Sequence, residues 1–152
     1  MASAPASAPR PSIRRQRGCW VPLPDRLTVA HRDGVAIAAA FPSTASIGVD
    51  LERAAAVSRL ELRYVTSESE RSRLQGIDPT LVWILKEAAW KALGLDSALP
   101  PSSLQLVFRA GTNVLAAVRH GTRELEAQAK VGELQSDQPL IAALVEIAPE
   151  VP

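Results

Sequence analysis

Residues 46–52 read "SIGVDLE" and residues 83–94 read "WILKEAAWKALG". The first stretch alternates with the period of a strand, which places Ile47 and Val49 on one face and Gly48, Asp50 and Glu52 on the other. The second follows the period of a helix. Residues four apart stack along a helix, so Trp83, Glu87 and Lys91 share one stripe, with Lys86 and Trp90 on an adjacent one. Leu81, Ile84, Leu85, Ala88, Ala92 and Leu95 remain as the face offered to a core. Asp78 has the chemistry of an N-cap, Pro79 suits the first helical position and Gly94 suits the C-terminal stop, so the spacing predicts a helix from about Pro79 to Leu93.

Working outward, "LTVAH" and "VAIAAAF" flank Arg32-Asp33-Gly34 and read as a hairpin with a tight turn. Ser67 and Glu70 have the spacing of a capping box opening a short helix. After "DSALPPSS" a period of two returns in "SLQLVFRA", "NVLAAVRH", "ELEAQAKV" and "LIAALVEI", an antiparallel meander. The fold class is therefore α+β, an antiparallel sheet packed against one long helix. Residues 25–152 are expected to form that domain and residues 1–24 an Ala/Pro/Arg-rich tail or linker.

Composition narrows the function classes. Lys and Arg number 17 against 16 Asp and Glu, so no general affinity for polyanions is built in. Arg10, Arg14, Arg15 and Arg17 sit in the tail without interleaved aromatics and read as a solvated basic segment rather than a nucleic-acid arm. The single cysteine, Cys19, has no internal disulfide partner. No apolar run approaches the roughly 18 residues of a membrane span, and the opening residues lack a secretory h-region. A cytoplasmic protein with no nucleic-acid or membrane partner is expected.

The chemistry lies where the strand and helix carry charge. Taken singly, Glu87 with Lys91 is an ordinary helical ion pair worth about 0.3–0.5 kcal/mol, and Asp50 with Glu52 is a strand end meeting water. Together, three carboxylates beside two lysines suit a hard divalent cation flanked by phosphate-binding charge.

"IGVDLE" and "WILKEAAWKALG", separated by a stretch containing "RYVTSESER", resemble the 4′-phosphopantetheinyl transferases. That signature is a Gly-Val/Ile-Asp-x-Glu strand followed by a Trp/Phe-x-x-Lys-Glu-Ala/Ser-x-x-Lys helix, matched here at Gly48, Val49, Asp50, Glu52, Trp83, Lys86, Glu87, Ala88 and Lys91. The resemblance implies transfer of the phosphopantetheine arm from coenzyme A to a serine of an acyl or peptidyl carrier protein, releasing 3′,5′-ADP. It implies Asp50, Glu52 and Glu87 as ligands of Mg²⁺, and Lys86 and Lys91 beside the coenzyme A phosphates. Glu87 and Lys91 are the expected catalytic residues, with Glu87 taking the serine proton directly or through metal-bound water. His31 matches a histidine that contacts a coenzyme A phosphate in the larger, surfactin-synthetase type. Ala30 and Arg32 replace its flanking serines, and Arg32 is expected to supply a phosphate contact instead. His120 has no functional counterpart.

The larger type holds two similar halves, and this chain resembles one of them. The small type, typified by holo-acyl-carrier-protein synthase, forms trimers with sites between subunits but carries its metal aspartate near the N-terminus. A transferase domain of a larger polyketide or fatty-acid synthase is a third arrangement. The expectation is a homo-oligomer, most simply a trimer; the alternative is a non-catalytic half-domain that binds coenzyme A or a partner and needs a second subunit.

Overall fold

The computed structural model describes residues 13–16, 19–22, 26–95 and 97–149. Most of the segment expected as a tail lies outside these residues; within it, β1 (Ile13–Gln16) pairs antiparallel with β2 (Cys19–Pro22). The expected hairpin forms as β3 (Arg26–Arg32) and β4 (Val35–Phe41). Arg32 pairs with Val35 across the two-residue loop, and Asp33 and Gly34 both take positive φ, 52° and 77°, as a primed hairpin turn requires.

β5 (Ser46–Arg53) is the edge of a five-stranded antiparallel sheet ordered β5-β9-β8-β7-β6. The other four are β6 (Leu104–Phe108), β7 (Leu115–His120), β8 (Arg123–Leu134) and β9 (Leu140–Ile147), the expected meander. A short 3-10 turn, Glu61–Tyr64, and helix α1 (Glu68–Arg73) precede helix α2 (Pro79–Leu93). The Asp78 carboxylate accepts from the Thr80 and Leu81 amides at the start of α2, and Gly94 closes it in the left-handed conformation. Among the described residues no helix is long and apolar enough to cross a membrane.

Helix α2 covers one face of the sheet. Ile84, Leu85, Ala88, Ala89 and Ala92 pack there with Val118, Ala127, Ala143, Val145 and Ile147. Val82 and Ala89, outside the predicted core face, are fully buried, while Leu81 and Leu95 are half-buried. On the opposite face Val49, Leu51, Ala142 and Leu144 pack against Ala30, Val35 and Ile37 of the hairpin. The second face of β9 is thus covered from within the chain.

One contact sets the distance between the layers. A Cβ added at Gly48 would lie 1.9 Å from the Ala88 carbonyl oxygen and 2.7 Å from the Ala92 nitrogen. Glycine is the residue that lets strand and helix backbones meet this closely.

Candidate active site at the β5–α2 edge

Two residues beyond Gly48 on the same face, Asp50 points at α2. Lys91 Nζ donates to Asp50 Oδ1 at 2.8 Å and to the Val49 carbonyl at 3.1 Å. The pair sits at a rim, with side-chain exposures of 13% for Asp50 and 25% for Lys91. Burial raises the Asp50 carboxyl above its ordinary range, against the hydrogen bond and charge of Lys91. Glu87, one turn before Lys91, forms no hydrogen bond or ion pair among the described residues. Burial, then the neighbouring charge of Asp50, pushes its carboxyl up to about 7, with Lys91 opposing.

Asp50, Glu52 and Glu87 line a cavity of about 490 Å³ together with His31, Arg32, Trp83, Glu61 and Tyr64. Lys91 borders a separate, larger cavity of about 840 Å³ that Arg26 and Arg123 also line. It therefore stands between the acid-lined space and a cationic one.

Three expected site residues are engaged with other partners. Lys86 does not face a phosphate site: it is fully buried, donating to Glu70 Oε2 at 2.6 Å and to the Leu104 carbonyl. Burial lowers its pKa, against the charge and hydrogen bond of Glu70. Glu70 Oε1 in turn accepts from the Leu106 amide at 2.8 Å. The capping box is correspondingly half made: Ser67 accepts from the Glu70 amide, but the Glu70 carboxylate turns into the core. Glu52 is gripped by Arg32 through its Nε at 2.7 Å and a second guanidinium nitrogen, and accepts from the Arg53 amide. Arg32, expected at a phosphate, therefore holds this acid across the β3–β5 contact.

These engagements decide how a metal fits. Among the described residues no three of His, Cys, Asp and Glu converge as a ligand cluster, so the expected triad is not assembled. Asp50 and Glu87 do fit: they are half-buried like charges, and one of them has no partner. Mg²⁺ is commonly held by one or two carboxylates, with substrate phosphates and water completing its shell. Glu61 and Tyr64 were not anticipated as cavity residues. The only sequence signal for them was a lone tyrosine, in "LRYVTSE", within a polar stretch.

A sheet with one long helix across it, and an acid–lysine cluster where its edge strand meets that helix, define an α+β fold with a candidate active site at that edge. The chain belongs to the 4′-phosphopantetheinyl transferase superfamily: the model of this family, ACPS, matches residues 46–145. The match spans both motif segments and the sheet, while the β3–β4 hairpin with His31 and Arg32 precedes it. No match was found among curated proteins. At the level of the family the chemistry is phosphopantetheine transfer, with coenzyme A as donor and a carrier protein as acceptor.

Proposed function

We propose that this chain transfers the 4′-phosphopantetheine arm of coenzyme A to a serine of an acyl or peptidyl carrier protein, with Mg²⁺, releasing 3′,5′-ADP. The observation that carries the reading is the unpartnered Glu87 carboxyl facing the same cavity as Asp50, with Lys91 on Asp50. When bound, Mg²⁺ supplies charge neutralisation at the coenzyme A pyrophosphate. Asp50 and Glu87 would hold it, and Glu52 would join only by exchanging Arg32 for the cation. Lys91 is placed to steady the charge that grows on the leaving phosphate. Glu87, facing the cavity beside Asp50, is assigned to accept the serine proton, directly or through a water. His31 lines the same cavity and is assigned to a coenzyme A phosphate; Trp83 forms part of its wall.

The proposal includes a single domain over residues 25–152 and a cytoplasmic setting. It also includes self-association, most simply as a trimer. On the outer face of the hairpin Leu27 and Val29 are exposed opposite Ala40 and Ala38, an apolar strip of the kind subunits cover. Incubation with coenzyme A, Mg²⁺ and an apo carrier protein, followed by intact mass, tests the activity. The carrier should gain the mass of one phosphopantetheine; no gain across fatty-acid, polyketide and peptide carriers would leave the half-domain reading in its place. Light scattering that finds a fully active monomer at micromolar concentration would remove the trimer.

A further inference from the structure

Of the acids among the described residues that line the cavity, Glu61 accepts from the amide and hydroxyl of Ser58, and Asp50 accepts from Lys91. Glu52 is the most completely occupied of them. Arg32 reaches both of its carboxylate oxygens, with Nε on Oε1 at 2.7 Å, and the Arg53 amide adds a further bond to Oε1 at 2.8 Å. The Glu52 side chain is 9% exposed and that of Arg32 46%, so the acid is fixed in the wall while its cation stays half in water. A forked guanidinium offers a carboxylate what a divalent cation would, positive charge shared by both oxygens.

A clamp between the hairpin and β5 would be the plain structural purpose of this pair, but that clamp exists a second time. One residue further along each segment, Arg53 binds both Asp33 oxygens, at 2.5 and 2.6 Å, and this second pair lies outside the cavity wall. The turn is therefore tied to the end of β5 without Arg32. Inside the cavity the balance is different. With Arg32 in place the wall holds one carboxyl without a partner, Glu87, beside the lysine-paired Asp50. Without Arg32 it would present Glu52 as well, since the Arg53 side chain is already spent on Asp33. Carboxylates gathered in one site repel one another and favour a shared cation.

We propose that Arg32 is a tethered competitor at the cation site: its guanidinium occupies Glu52 and withholds that carboxylate from a divalent cation. The inference rests on the assignment of a cation to Asp50 and Glu87 in the transferase reading above. Arg32 thereby sets the affinity of the site. A cation that meets two carboxylates needs substrate phosphates and water to complete its shell, whereas a third carboxylate would hold it more tightly without them. The competitor makes cation loading depend on coenzyme A.

Mn²⁺ binding to the full chain without coenzyme A, read from the electron paramagnetic resonance signal of the free ion, tests it. Arg32→Ala should lower the Kd, and the gain should be at least about fivefold larger with Glu52 present than in a Glu52→Gln background, because loss of a nearby positive charge acts in both and release of a ligand in only one. Arg32→Lys, which keeps the charge but not the fork, should gain less than Arg32→Ala. If Arg32→Ala is too unstable to titrate, saturating Mn²⁺ should raise its melting temperature by more than that of the wild type. No gain, an equal gain in both backgrounds, or an equal rise in melting temperature overturns the competition alone. Absence of Mn²⁺ binding in the wild type and Arg32→Ala alike overturns the cation site and this inference with it. The excess gain beside carriers that stay unmodified leaves the competition standing and removes the transferase reading.

Discussion

Helix α2 carries two lysines, five positions apart, each paired with an acid from another element, and their surroundings differ in every respect. Lys86 and Glu70 have no exposed side-chain surface, and the hydrogen bonds of both ends are completed by the Leu104 carbonyl and the Leu106 amide of β6. The pair ties α1, α2 and the far edge strand together. Lys91 and Asp50 lie at a rim, open to two cavities, with the unpartnered Glu87 carboxyl beside them. A saturated polar cluster in the core has nothing left to offer a ligand, whereas one that is short a counter-charge does. Identical residue types therefore separate into framework and site by what surrounds them.

The contrast is sharpest if each pair is broken in turn. Asp50→Ala and Glu87→Ala should each lower turnover by about 100- to 1,000-fold and leave the denaturant midpoint almost unchanged, since neither opens a core cavity. Near-wild-type turnover at saturating Mg²⁺ in either variant would erase the distinction from the site side. Lys86→Ala should do the reverse, costing about 3–5 kcal/mol of stability because Glu70 is left charged and alone in the core. Replacing both partners, Lys86→Met with Glu70→Leu, should recover a large part of that loss in urea titrations.

Smaller effects refine the site end. Lys91→Ala should lower kcat about 10-fold and also raise the coenzyme A KM, because a lysine at a phosphate acts in ground and transition states alike. A change confined to the melting temperature would reduce Lys91 to a helix-surface ion pair. The smallest expected effect is a pH dependence. Glu87 titrates at about 7 in the fold against 4.5 in the unfolded chain, so between those values the folded state holds a proton that the unfolded state has released. Stability of the metal-free protein should therefore fall as pH rises through that window, by about 1 kcal/mol once solvent screening of this half-buried group is allowed for. Glu87→Gln should flatten the profile over the same window, and an unchanged profile in that variant assigns the slope to another group.

Local signals made most of the scaffold legible. Asp78, Pro79 and Gly94 bounded α2, Asp33-Gly34 announced the hairpin turn, and alternating apolar residues marked the meander. The same signals put Asp50 on a strand face and Glu87 and Lys91 on one helix stripe, and the structure brings the face and the stripe together. The failures at the site involve partners distant in sequence. Nothing in "TSESER" tells that Glu70 abandons its cap for a lysine 16 positions on, since a cap and a buried partner share the same sequence spacing. Arg32 and Glu52 are 20 residues apart, and only the packing of the hairpin over β5 brings them together. Val82 and Ala89 were missed as core because α2 is buried over a wider arc than its most apolar stripe suggests.

The close approach at Gly48 works as a ruler for the site. Asp50 is a short side chain, and it meets Lys91 at 2.8 Å only because its strand rides directly on the Ala88–Ala92 backbone. Any side chain at position 48 would lift the helix and widen the gap between the two carboxylates in the same movement. The fold and the geometry of the candidate site thus share one mechanical setting here. Gly48→Ala should lower melting temperature and Mg²⁺ affinity together, and sequence drift at this position has no gradual path, because the first methyl group already exceeds the available space.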